Sequence, residues 1–440
     1  MFDDSDIRVG LQEKLPLLRA DEHFRAFPPD TDFAPRGMVG DRGASLSGAW
    51  LNHVMHAPQF QRLEAAWRSL FYLSCHTETV KIRVLQVSRK ELLRDIQRAP
   101  EFSDIHLFQK AYRQLTEYRG EPFAVLVGDY EFGNNPEDLW ILESLTQVAA
   151  AVQAPFLAGA ALDLIGPSFQ PTGAEGANPA LAQTKNDRWK IFRTDEDACY
   201  VGLTAPRVLM RAPYSAGLNP AAGFDFEEGA VYLWGNAAFV LTASIMMAFD
   251  RYKWCAQIVG PFRTSDNLPK YFQYGDAGLQ CRGSAEMALD DASRTALREL
   301  GFIALGQDRS TDYPVYFDAA PSCHRAREAT ESRLLAADLR YVPELSRFMH
   351  YMAAWMRDKT ASFASREQWE VVLNRWISQY VAARGPADAQ RPLTSAHAQL
   401  LDRPNRPGVR QVVLRANPGF QLQELPFAPQ AVMETPFPPL

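Results

Sequence analysis

Apolar residues along the chain fall into short continuous runs, helical stripes and alternating stretches, and each spacing predicts a different element. Phe123–Val127 is a continuous run, the pattern of a strand buried on both faces, and Gly128-Asp129 ends it. Asn134, Asn135 and Pro136 then supply turn and helix-start chemistry. Leu139, Leu142, Leu145, Val148 (with Ala149) and Val152 recur at helical spacing, which gives this helix one apolar face. Pro155 stops it, and Phe156–Ala160 reads as the next strand. Strand, helix, strand predicts a βαβ unit with a parallel sheet, its core formed by Val125, Val127, Leu142, Leu145 and Phe156.

The rest of the chain reads in the same way. Ser45–Leu73 is helical across a break at Pro58, with Leu46, Trp50, Val54, Phe60, Leu63, Ala66, Trp67 and Leu70 as its stripe. Val80–Val87 alternates, with one apolar exception, and predicts a strand. Ser88 and Glu91 form a capping box for the helix that follows. Gly166–Pro179 reads as a loop, and Phe262–Gly283 as long and irregular. Cys199–Leu203 is strand-like and Ala230–Met247 helix-like. Ser293–Leu300 is a short helix ended by Gly301, and Phe302–Leu305 a strand. Leu345, Phe348, Met352, Trp355 and Met356 form one late helical stripe; Trp369, Val372, Trp376 and Tyr380 form another. Val412–Leu414 and Phe420–Leu425 are the last strand candidates. From Pro426 to Leu440 five of fifteen residues are proline, which predicts no ladder strand there. Met1–Gly43 reads as an arm, interrupted by Pro16, Pro28, Pro29 and Pro35, with Phe24, Phe27 and Phe33 as apolar anchors. Its plain alternative is a poorly ordered terminus. The fold class expected is α/β, with mixed sheets flanked by helices.

Composition narrows the functional classes. The 440 residues are 47% apolar and 22% charged, as in a globular protein. A net charge of −6 gives nucleic-acid binding no electrostatic support. No apolar run approaches the ~18–20 residues that span a bilayer, so no membrane insertion is expected. The opening MFDDSDIRVG lacks the order of a signal peptide, which makes the cytoplasm the expected compartment. Five scattered cysteines fit reduced thiols.

Residues that could carry chemistry have plain alternatives. There is no G-x-S-x-G, Walker A run or G-x-G-x-x-G. His53, His56 and His76 could in principle bind zinc, but read better as polar residues beside a core stripe. Asp129 and Glu131 could act as acid and base at a strand end; the favoured reading of Asp129 is a turn aspartate. Cys323-His324 are paired only by adjacency. Arg207 and Arg211 could hold an anion, but more readily pair with carboxylates. Trp67, Trp140, Trp234, Trp254, Trp355 and Trp376 fall on apolar stripes and read as core. No catalytic, cofactor-binding or metal-binding residue is assigned.

Five segments in order carry a resemblance. They are FQRLEAAWRSLFYL with TETVKIRVLQVSRKEL, GEPFAVLVGDYEF with APFLAGA, DEDACYVGLTAPRVLMRAPY, LWGNAAFVLTASIMMAF, and LSRFMHYMAAWMRDKTASF with VVLNRWISQYV. Together they resemble the large subunit of the type VI secretion contractile sheath. The resemblance implies a tail-sheath-like body with extended terminal arms. Its divisions would be an arm at 1–44, an N-terminal sheath domain at 45–325 divided by the loop at 166–180, a C-terminal sheath domain at 326–425, and a proline-rich tail at 426–440. It implies a structural role: pairing with a small sheath subunit, stacking with other sheath protomers around an inner tube protein on a baseplate, and contraction that drives the tube outward. A recycling ATPase is a further partner of the family. Family members donate terminal strands to neighbouring dimers, a form of β-augmentation. The matching stretch is Val409–Leu425, with Val412, Val413, Leu414, Phe420 and Leu422 as partner-interface candidates. Two alternatives stand beside this reading: a diverged paralogue that caps the sheath or binds the baseplate without polymerising, and an enzyme with a site near Asp129.

Overall fold

The computed structural model describes residues 44–117, 120–166, 187–214, 228, 231–260, 268–275, 278–308, 315–325, 338–359, 365–383, 385–402, 409–422 and 430–436. The expectations for Met1–Gly43 and, beyond Gly166, for the loop to Pro179 lie outside the described residues.

The described residues open with helices α1 (Ala44–Met55) and α2 (Pro58–Cys75), separated at Pro58 as the sequence predicts. Helix α3 (Arg89–Arg98) follows, and its capping box is formed: Glu91 N donates to Ser88 Oγ, and Ser88 N donates to Glu91 Oε2. Helix α4 (His106–Thr116) leads to strand β1 (Leu126–Phe132). The strand begins later and runs further than the apolar run predicts. Gly128 and Asp129 lie inside it, because the edge of a sheet tolerates polar residues that a buried run does not.

Helix α5 (Pro136–Val152) starts where Asn135 Oδ1 accepts from Asp138 N at 2.8 Å, and ends at Gln153 in the left-handed region, φ 54°. Strand β2 (Phe156–Ala160) pairs parallel with β1, which completes the expected βαβ unit. Strand β3 (Val201–Ala205) pairs parallel with β2. Strands β4 (Val208–Arg211) and β5 (Leu233–Gly235) form a small antiparallel sheet leading into helix α6 (Ala238–Tyr252).

The stretch expected to be irregular contains a hairpin, β6 (Tyr271–Gly275) with β7 (Gly278–Gly283). Helix α7 (Asp291–Glu299) ends before Gly301, whose φ of +86° needs a residue without Cβ. Strand β8 (Phe302–Gln307) pairs parallel with β3, and β9 (Val315–Phe317) pairs antiparallel with β8. The main sheet therefore runs β1-β2-β3-β8-β9, with β1 at one edge.

Helices α8 (Val342–Lys359) and α9 (Arg366–Ile377) cover a second, antiparallel sheet of β10 (Leu393–Asp402), β11 (Val409–Pro418) and β12 (Gln430–Pro436). The proline-rich end thus does carry a ladder strand. Pro426 and Pro429 precede β12 and Pro436 closes it, so the stretch between them keeps its N–H donors. The described part of Phe420–Leu425 is a bend rather than a strand.

Two cores result. Leu142, Leu145 and Phe156 are buried in the main one, and Val125 and Val127 pack half-buried against it. Phe348, Met352, Trp369, Leu373, Leu400, Val412 and Leu414 build the second. The two bodies meet at the end of α5. Gln153 Nε2 donates to Val432 O of β12 at 2.8 Å, Tyr200 Oη donates to Gln153 Oε1 at 2.8 Å, and His350 Nε2 on α8 lies 2.9 Å from Val152 O.

The strand predicted at Val80–Val87 is absent. Residues 80–88 join no ladder. An alternating sequence makes a backbone suited to extension, but pairing needs a neighbour, and none of the described residues supplies one. The tryptophans also divide. Trp254 is buried, Trp234, Trp355 and Trp376 are half-buried, but Trp67 and Trp140 are 56% and 44% exposed. The face of α2 that meets the body is Ala65, Ser69, Tyr72 and Leu73, while its Leu63, Trp67 and Phe71, and Trp50 of α1, face solvent.

Candidate functional site

The residues singled out for chemistry are tied into structure. Arg207 donates to both oxygens of Glu286, at 2.9 and 2.6 Å. Arg211, buried, pairs with Glu64 at 2.7 Å and with both oxygens of Glu228, one of which also meets His56 Nε2 at 3.1 Å. Burial opposes ionisation of Glu228, but the Arg211 hydrogen bond and charge outweigh it and lower its pKa. The anion-site arginines therefore spend their donors on carboxylates. His76 Nδ1 faces Tyr72 O at 2.7 Å. Among the described residues no group of three His, Cys, Asp or Glu side chains could hold a metal ion.

Cys323 is buried, and burial pushes its thiol up to about 12, far from a thiolate at neutral pH. Its neighbour His324 points to Asp195 O instead, at 2.7 Å. On β1, Asp129 is pushed up to about 6, first by desolvation and then by the Glu131 charge. Its side chain lies on the open side of the strand. Glu131 is also raised by desolvation, against the opposing pull of Arg207 3.9 Å away.

The more organised features are sheet edges and the polar side chains that close them. In the C-terminal sheet, β11 occupies the middle. Val412 pairs with Leu400 and Met433, Val413 with Gln399 and Val432, and Leu414 with Ala398 and Ala431. Phe420, half-buried, stacks edge-on against Tyr252 at 5.6 Å, and Leu422 is half-buried in the bend that follows. On β10, Asn374 of α9 mimics a strand: its Nδ2 donates to Ala398 O at 2.7 Å and its Oδ1 accepts from Ala398 N at 2.9 Å. Glu370 Oε1 accepts from Leu400 N at 2.9 Å. These clasps satisfy backbone groups that a bare edge would offer to other chains.

Asn236 plays a related part inside the main sheet. The β1–β2 register is irregular between Val127 and Glu131. There Asn236 Nδ2 donates to Gly128 O and Tyr130 O, at 3.3 and 3.1 Å, while its Oδ1 accepts from Ala238 N and Thr204 Oγ1, at 2.8 and 3.2 Å. Gly159 gives it room: a Cβ there would sit 3.2 Å from the Asn236 amide. Sequence reasoning assigned no role to Asn236, Gln153, Asn374 or Glu370. The one available signal was an Asn directly before an apolar helix, in LWGNAAFVL.

The chain matches two family models that together span both bodies. Residues 45–324 match the model described as EvpB/VC_A0108, tail sheath N-terminal domain, and residues 328–433 match EvpB/VC_A0108, tail sheath gpW/gp25-like domain. The chain belongs to the type VI secretion sheath large-subunit family. It is 32% identical over 418 residues to the type VI secretion system sheath protein TssC1 of Pseudomonas aeruginosa, covering 88% of this chain and 83% of the relative. The sheath subunit is thus a structural component of a contractile sheath and not an enzyme. Asp129 and Glu131 are then edge residues of a sheet. Among the described residues no helix is long and apolar enough to cross a membrane.

Proposed function

We propose that the sheath subunit pairs with a small sheath subunit, and that these heterodimers stack in the cytoplasm into a helical tube around an inner tube protein, anchored on a baseplate. Contraction of that tube would drive the inner one outward. Filaments of this kind need heterologous interfaces that do not close on themselves, and two packings separated by a modest free energy. The observation that best supports this reading is the C-terminal sheet. It is a three-stranded antiparallel sheet whose outer strand, β12, is an edge. Such an edge is suited to receiving or exchanging a strand with a neighbour while the bodies rotate.

In this arrangement Val412, Val413 and Leu414 lie on the middle strand between β10 and the edge strand β12, and Phe420 and Leu422 lie in the bend that follows that strand. A recycling ATPase would act on the assembled or contracted sheath. Co-expression of the sheath subunit with the small sheath subunit tests the pairing. A stable one-to-one complex in size-exclusion chromatography with light scattering is the expected result. Elution of the sheath subunit alone, with the small subunit soluble in a separate peak, would overturn it.

A further inference from the structure

Gln153 stands where a helix ordinarily ends in glycine. It follows α5 with φ 54°, in the left-handed region that Gly or Asn enters at little cost and a long side chain does not. The side chain is nonetheless buried, and each of its polar atoms is used. Nε2 donates to Ala150 O at 2.7 Å and to Val432 O at 2.8 Å, and Oε1 accepts from Tyr200 Oη at 2.8 Å. Two of these bonds stay within the body of the main sheet. The third crosses to β12.

The side of β12 that it reaches follows from the ladder. On β10, Ala398 and Leu400 turn their N–H groups away from β11, to Asn374 and Glu370. In an antiparallel pair such residues stand opposite partners that also turn away. Leu414 and Val412, their partners on β11, therefore direct their backbone groups to β12, where they meet Ala431 and Met433. Val432 lies between those two, so its N–H and C=O point out of the outer edge. Among the described residues no backbone outside the sheet bonds to residues 430–436. The Gln153 amide thus occupies the middle of that edge. A strand added there would run about 4.8 Å from β12 and set its own N–H where Nε2 now sits. The two cannot hold that carbonyl from the edge side together.

We propose that Gln153 is a latch that closes the outer edge of β12 while the two bodies keep this packing, and frees it when they turn apart. Such a latch rests on the assembly proposed above and sets when its edge can accept a strand. Val152, beside Gln153, meets His350 of α8 across the same seam, with its carbonyl 2.9 Å from Nε2, so rotation of the C-terminal body breaks both contacts together. An open edge on an unassembled subunit invites pairing with the wrong chain. An edge closed by a side chain of the other body opens only with a change of packing. Reach explains the glutamine. Glycine would end α5 without strain but leave Val432 O open, and asparagine, one methylene shorter, would fall short of it.

Gln153→Gly and Gln153→Asn test this, since both suit the backbone angle and neither reaches Val432 O. In the sheath subunit alone, hydrogen exchange read by mass spectrometry should show the Ala431 and Met433 amides about fivefold faster than in the parent, as for loss of one neutral hydrogen bond, with β2 and β3 unchanged. Co-expressed with the small sheath subunit, both variants should lengthen tubules about fivefold faster than the parent at equal concentration. The Val432 amide, which faces the edge, should slow in the tubules of parent and variants alike. A contact that only braces the fold would loosen β12 without speeding growth. Tubule growth that is unchanged, slower or absent in either variant therefore overturns the latch and leaves the assembly standing. So do unchanged exchange in the free chain and a Val432 amide that stays fast in parent tubules. If the parent forms no tubules at all, both fall.

Discussion

Replacing Asn236 with alanine should loosen edge strand β1 from its neighbour β2 in the main sheet without touching any exposed surface. Its amide makes four hydrogen bonds inside the gap between β1 and β2, two as donor to Gly128 O and Tyr130 O and two as acceptor from Ala238 N and Thr204 Oγ1. Asn236 itself is buried, so water does not readily take its place. Thr204 Oγ1 keeps a bond to Ala158 O, which removes it from the loss. The remaining three groups lose a partner at about 1 kcal/mol each, toward the low end for buried polar groups, which gives a destabilisation of about 3 kcal/mol. For a body of this size, that lowers the first thermal transition by roughly 6–12 °C. Differential scanning calorimetry reads the shift directly. Asn236→Asp serves as the companion variant. It keeps the size and the acceptor but loses the donor, and places a carboxylate against two carbonyls, so it should cost at least as much as the alanine. A shift under about 2 °C in both variants would show that the gap is not held by this side chain, since an ordinary exposed polar substitution does no more.

Three further outcomes follow from the packing and the buried charges. Leu142→Asp places a carboxylate on the fully buried face of α5, and should cost more than about 4 kcal/mol and leave little soluble protein; an unchanged Tm would refute the placement of that face. Glu344, buried on α8, is pushed up to about 8 from 4.5 by burial, against the weaker pull of the Cys255 backbone and Arg347. Its folded form then binds more protons than the unfolded one, so stability is full at low pH and is lost as pH rises between those two values, by on the order of 3 kcal/mol at pH 7. His350 runs the other way: burial lowers it from 6.5 to about 4, so its contribution is present above pH 6.5 and is lost as pH falls towards 4. Between pH 6.5 and 8 the protein should therefore lose stability as Glu344 ionises, and Glu344→Gln should flatten that slope in urea midpoints; a parent protein with a flat profile there would contradict the assignment. Met433→Pro removes a ladder donor and a buried side chain from β12, and should loosen the C-terminal sheet in hydrogen exchange at Val412–Leu414 while amides of β2 and β3 keep their protection.

Much of this was legible in the order of residues, and the exceptions share a cause. Capping at Ser88, the helix start at Asn135 and the βαβ unit depend on residues a few positions apart, so local spacing specifies them. What failed depends on residues far away. The pattern of residues 80–87 promises a strand but cannot say which chain pairs it. The Leu63–Trp67 stripe of α2 marks an apolar face but not which face meets the body, and the small Ala65 and Ser69 won that contact by letting α6 approach closely. Proline counted over fifteen residues hid a proline-free stretch that β11 could pair. The clasps at Asn236, Gln153 and Asn374 were illegible because a lone amide has no periodicity; only its buried partners reveal it.

Negative-stain electron microscopy of the sheath subunit co-expressed with the small sheath subunit tests the central claim most directly. The account predicts hollow tubules of uniform diameter that lengthen with concentration. Discrete particles at every concentration would contradict it.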